Sequence, residues 1–242
     1  MKKYFFTIFL TSSILLLFNA CQKEKNPQPT PTPTPTVNPY LAGLGDHIGY
    51  PAGTPYTLPP VIHLVSDIRG GYYSKSSVIK KNKSYKGPFP INLIPKNWVY
   101  YGTGTYVELY FKLYNTLTTD TLVIIPGGLI FCDSLDNDTS NGIYQRGFIL
   151  QNDTIYIHAH DTAYVVLEAY CLNANLSASD YGAVYYIGPV TSNPNLNQIV
   201  TIMSAKQYPF GHESEIQDII WNVTDYGQNI TQQEIQFLNN LP

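Results

Sequence analysis

The sequence predicts a mainly β fold, an antiparallel sandwich or barrel, followed by a C-terminal group of about three helices. Three features carry this. The stretch TYVELYFKLYN at 105–115 alternates strictly, with Val107, Leu109, Phe111 and Leu113 on one face and Tyr106, Glu108, Tyr110, Lys112 and Tyr114 on the other. Short apolar runs separated by turn residues surround it. After Gly188 the apolar period lengthens from two residues to the helical period of about 3.6.

Taken in order, residues 38–60 are rich in Pro and Gly and predict irregular chain. VIHLVSDI (61–68) reads as a first strand, followed by 105–115. Further strands are expected at 121–126, 128–131, 147–151, 154–159, 162–172 and 183–188. Asn193-Pro194 is a good helix start, with Pro at the first position and Leu196, Ile199, Val200 and Met203 on one face. SEIQDIIWNV (214–223) places Ile216, Ile219, Ile220 and Val223 on one face and ends near Gly227. A third helix begins at Thr231, where TQQE is a capping box closed by Glu234; Ile235, Leu238 and Leu241 form its apolar side.

The N-terminal region reads as an address rather than as fold. Lys2 and Lys3 precede a mostly apolar run, Tyr4 to Phe18, closed by Ala20-Cys21. This resembles a bacterial lipoprotein signal at 1–20, which implies that Cys21 is acylated and becomes the mature N-terminus; a cleavable signal with an incidental Cys is the alternative. Residues 21–37 form a linker whose alternating prolines favour an extended polyproline II rod. Pro27 to Thr36, at about 3.1 Å per residue, makes a spacer of roughly 30 Å. CQKEK resembles the charged tag that carries some Bacteroidota lipoproteins to the cell exterior; it reads equally well as the start of a solvated linker. The expected location is therefore the outer membrane, held by lipid, with residues 38–242 as the folded module.

Composition narrows the partners. A formal net charge of −3 offers no nucleic-acid signature, and Lys75, Lys80, Lys81, Lys83 and Lys86 read as a solvated loop. Charged residues are only 13% while Tyr reaches 21, the texture of an exported β-rich protein that meets proteins or glycans. No nucleophile elbow, phosphate loop or paired-carboxylate motif is present, which argues against a hydrolytic enzyme; no cofactor is called for. Cys132 and Cys171, in an oxidising compartment, are candidates for a disulfide.

Two short motifs stand out together. AYCLN places Tyr170, Cys171, Leu172 and Asn173 at the end of a strong strand, and IQDIIW places Gln217, Ile220 and Trp221 on a helix. The pair resembles the thioester domains of Gram-positive surface adhesins. In that family a Cys sulfur and a Gln carboxamide condense with loss of ammonia, and the internal thioester acylates an amine on a host surface. The resemblance implies a Cys171–Gln217 thioester, with Tyr170, Leu172, Ile220 and Trp221 excluding water from it. The chemistry needs these residue types: a thiol as nucleophile and a carboxamide as the acyl group, held on separate rigid elements. The same residues have plainer readings. SEIQ is itself a capping box, Ser214 to Gln217, and Cys171 fits a small buried hydrophobe.

Weaker patterns remain. His158 and His160 share a strand face beside Asp161, but no third ligand is evident and no metal is assigned. Asp-Thr or Asp-Ser recurs before apolar residues, which resembles the Bacteroidota O-glycosylation sequon with Thr121, Ser134, Thr154 and Thr162 as acceptors; Asp-Thr also suits a turn entering a strand. Tyr106, Tyr110 and Tyr114, with Tyr72-Tyr73 and Tyr185-Tyr186, read either as a sugar-stacking face or as half-buried sheet faces.

Overall fold

The computed structural model describes residues 39–71, 98–137, 139–207 and 211–242. Cys21, the signal, the linker, Tyr72-Tyr73 and the lysine-rich stretch lie outside the described residues.

The order of elements is β1 (Gly53–Pro55), β2 (Ile62–Leu64), β3 (Ile68–Gly71), β4 (Trp98–Gly102), β5 (Val107–Asn115), β6 (Thr121–Ile125) and β7 (Leu129–Asp133). Then come β8 (Asp136–Asn137), β9 (Ser140–Asn141), β10 (Gly147–Phe148), β11 (Asp153–Ile157), β12 (Thr162–Cys171) and β13 (Val184–Thr191). Three helices close the chain: α1 (Pro194–Met203), α2 (Glu213–Thr224) and α3 (Gln232–Asn240). The protein is thus mainly β with three C-terminal helices, as the sequence predicts.

Of the two β architectures expected, the protein adopts the barrel. Six antiparallel strands close in the order β5-β3-β13-β7-β10-β12 and back to β5. Closure rests on the long ladder from Thr162↔Tyr114 to Ala169↔Val107, and it removes the open edges of the two longest strands. Three strands extend the wall: β2 on β5, β1 on β13, and β4, which runs parallel to β12. β6 and β11 form a separate ribbon that buries Val123, Ile125, Ile155 and Ile157 against the same core. The expected strand 61–68 is split into β2 and β3, which pair with successive segments of β5.

Period two sorts the side chains into two cores. Val107, Leu109, Phe111 and Leu113 point into the barrel with Phe131, Val165, Leu167, Ala169 and Cys171. The alternate residues Ile130, Cys132, Phe148, Tyr170 and Leu172 face outward and are covered by Leu196, Ile199, Met203, Ile216, Ile219, Ile220 and Val223 of the helices. α1 and α3 start as predicted, with Asn193 accepting from Asn195 and Leu196 and with the Thr231–Glu234 capping box intact. α2 differs. It begins at Glu213 after His212, which makes no side-chain cap, so no Ser214–Gln217 box forms and the Gln217 amide is free to bond elsewhere.

Candidate functional site: a carboxamide against the end of a barrel strand

The β12–β5 ladder stops at Ala169↔Val107, with one more bond from Tyr106 N–H to the Ala169 carbonyl at 3.3 Å. Two residues on, Cys171 presents its N–H and C=O to the same edge with no strand to meet them. Gln217 fills the gap. The Cys171 N–H donates to Gln217 Oε1 at 2.8 Å, and Gln217 Nε2 donates to the Cys171 carbonyl at 2.7 Å. One side-chain amide therefore does the work of a strand residue, and both residues are fully buried. The fold brings together two groups 46 residues apart.

The sulfur lies two covalent bonds from the Cα that the carboxamide straddles. It accepts a hydrogen bond from the Asn173 N–H at 3.3 Å. Burial pushes the Cys171 thiol up to about 12, while Asn173 and the Trp221 indole pull it down. The Trp221 N–H is buried and meets no acceptor at full hydrogen-bonding geometry. Trp221 lies one helical turn after Gln217, on the same face of α2. Its ring packs against the barrel core, edge-on to Tyr106 with centroids 5.3 Å apart. Both rings are half-buried, so this pair stands between the Cys171 side of the barrel and solvent.

Strand alternation separates the other expected pocket residues from the thiol. Tyr170, Leu172 and Ile220 belong to the helix-facing core, whereas Cys171 and Trp221 share the barrel-side cluster. The disulfide expectation is corrected. Cys132 and Cys171 are both free, and they face opposite sides of the sheet. Through Phe131↔Gly147↔Cys171 their strands lie two apart, about 9–10 Å, beyond the roughly 7 Å Cα limit for a disulfide.

A strap not foreseen from the sequence crosses the same strand end. Gly45 N–H donates to the Leu172 carbonyl at 2.9 Å, and Asn173 Nδ2 donates to the Gly45 carbonyl at 2.6 Å. Gly45 has φ 54°, and a Cβ there would sit 2.2 Å from the Thr224 carbonyl oxygen, so only glycine lets the strap lie this close to α2. Fully buried Arg146 anchors the strap. Its Nε donates to Asp136 at 2.7 Å, and its other nitrogens reach the Gly43 and Gly49 carbonyls and Asn141. The only advance sign was a guanidinium between Gln145 and the apolar GFIL run.

Of the acceptor threonines and serine, Ser134 and Thr154 are exposed, and Thr121 and Thr162 are half-buried at strand starts. Tyr106, Tyr110 and Tyr114 are half-buried and Tyr185 is buried, donating to the Gln145 carbonyl at 3.0 Å. Among the described residues, no group of three His, Cys, Asp or Glu is placed to hold a metal, and no helix is long and apolar enough to cross a membrane.

No protein-family model, curated protein or solved structure matches the chain.

Proposed function

We propose that this is a lipid-anchored surface adhesion module, tethered through Cys21, that forms a Cys171–Gln217 thioester and uses it to acylate an amine on a target. The observation that supports this reading is the buried contact between the Gln217 carboxamide and Cys171. Proximity of this kind removes much of the barrier to an intramolecular acyl transfer.

The chemistry balances with groups already present. Sγ adds to Gln217 Cδ, the C–N bond breaks, and ammonia leaves with the thiol proton. A target amine then adds to Cδ and the C–S bond breaks. The sulfur takes back a proton, and the product is an amide between Gln217 and the target. The Cys171 N–H, already 2.8 Å from Oε1, is placed to hold the oxyanion. The Asn173 and Trp221 N–H groups are aimed at the sulfur as it gains charge. The module reacts once and is not a catalyst.

A fluorescent primary amine tests this. The wild-type chain is expected to take up the label at Gln217 and Cys171→Ala to take up none. Trp221→Phe keeps a ring against Tyr106 and deletes only the N–H; it is expected to slow labelling about tenfold, with little change in thermal stability. Absence of label in the wild type, or equal labelling of Cys171→Ala, contradicts the proposal.

A further inference from the structure

Away from the thiol, the edge of β4 and the ribbon strand β11 face each other across an open groove of about 490 Å³. That volume lies within the range of small-ligand sites. Tyr101, Tyr156 and Tyr164 line it, with His158, Asp161 and Thr162 between them.

The polar side of the groove is held in place. Asp120 accepts from the Tyr156 hydroxyl and from the Ala159 N–H at 2.9 Å, and its other neighbour is His158 Nδ1 at 3.4 Å. The Tyr156 and His158 rings meet edge-on at 4.8 Å. The turn that supplies His158 and Asp161 contains His160, with φ 49°. Among the described residues it is the one non-glycine with a positive φ, and such conformations cluster at ligand sites. Tyr156 remains 49% exposed, and Leu122 and Ile124 beside it on the ribbon are 58% and 55% exposed.

These features select a ligand chemistry. Tyrosines present apolar ring surface and a hydroxyl together. Asp161 accepts, His158 and Thr162 donate or accept, and among the described residues the lining holds the Asp161 carboxylate but no Lys or Arg, which disfavours an anion. The groove is too open and too polar to desolvate a purely apolar ligand. An organic cation finds one ring already served, because Lys112 Nζ lies 5.1 Å from the centroid of Tyr164. A ligand with an apolar face and a rim of hydroxyls suits the tyrosine rings together with Asp161, His158 and Thr162. We infer that the β4–β11 groove is a binding site for a neutral saccharide, stacked on Tyr156 and Tyr101 and hydrogen-bonded by Asp161 and His158.

This site is independent of the thioester, and its test is separate. The full-length chain, kept free of sugar-based detergents, is titrated with a panel of neutral mono- and disaccharides and followed by saturation-transfer NMR. At least one saccharide is expected to bind saturably. Tyr156→Ala and Tyr101→Ala should each weaken it about tenfold or more, and Tyr156→Phe should retain most of it. Tyr226→Ala, at an exposed tyrosine elsewhere, should leave it unchanged. Binding by no member of the panel, binding that survives Tyr156→Ala, or displacement of the sugar by cadaverine would overturn the inference.

Discussion

Gln217→Ala is expected to destabilise a chain whose Gln217 is still a free carboxamide by about 3–5 kcal/mol, because it strands two main-chain groups in a water-free site, each costing about 1–3 kcal/mol. Among the described residues the Cys171 N–H and C=O have no strand beside them on that edge, and Gln217 is the partner that bonds both. Cys171→Ala behaves differently. Gln217 bonds the main chain of residue 171, so both hydrogen bonds survive the loss of the sulfur. Without a covalent bond this variant should lose only about 1 kcal/mol for a small buried group. With a thioester it loses a cross-link as well. Closing a loop of 46 residues stabilises by about 4 kcal/mol on the chain-entropy account developed for disulfides. The covalent account therefore predicts that Cys171→Ala costs about 5 kcal/mol, that Gln217→Ala loses the same cross-link, and that the double variant, which loses it once, costs about 4 kcal/mol less than the sum of the singles. Denaturant unfolding of the three variants measures this; additive losses, with Cys171→Ala near 1 kcal/mol, would mean hydrogen bonds alone.

Arg146→Met should cost about 3–5 kcal/mol, the usual penalty for breaking one half of a buried ion pair. Arg146 and Asp136 are both fully buried, and the same guanidinium holds the Gly43 and Gly49 carbonyls. Burial pushes the Asp136 carboxyl up to about 6, against the lowering effect of Arg146. Removing the arginine removes that lowering, so the folded variant binds its proton more tightly still. A carboxyl whose folded pKa exceeds its unfolded one stabilises the protein as pH falls through that window. The deficit of Arg146→Met relative to wild type should thus shrink as pH falls toward about 6 and level off below it, where the carboxyl is protonated in both folded proteins. Thermal unfolding across that range checks it, and a deficit that grows toward acid would show that Asp136 is not the stranded charge. Because the strap crosses the end of β12, amide exchange at Gly45 should rise in this variant.

The parts of this architecture written in local periodicity were legible in the sequence. β5 and β12 alternate, and the inward set Val107 to Leu113 follows directly from that. The helices announced themselves through Asn193-Pro194 and through the Thr231–Glu234 box. What escaped notice is held by non-local pairing. β4 is an edge strand set by its parallel register on residues 164–168, which no short window encodes. The expected strand 147–151 shrinks to two paired residues: the Ile149 N–H still donates to the Leu129 carbonyl, but the Ile149 carbonyl accepts from Gly128 because the Leu129 N–H turns back to Pro126. The strap at Gly43–Gly49 has no apolar period and is pinned by side chains from Arg146 and Asn173. At the site, the pairing of Cys171 with Gln217 was implied by the resemblance of their two motifs to thioester domains. Their mode of contact was not, because it depends on where β5 stops and on α2 starting at Glu213 rather than after Ser214.

Intact mass spectrometry of the folded chain, prepared alongside Cys171→Ala so that any processing or modification common to both cancels, bears most directly on the covalent reading. The wild type should be lighter than its own sequence by one ammonia, and the variant should show its full mass. A wild-type chain at full mass, with a free thiol at Cys171, would leave Gln217 as a plug for an open strand edge and nothing more.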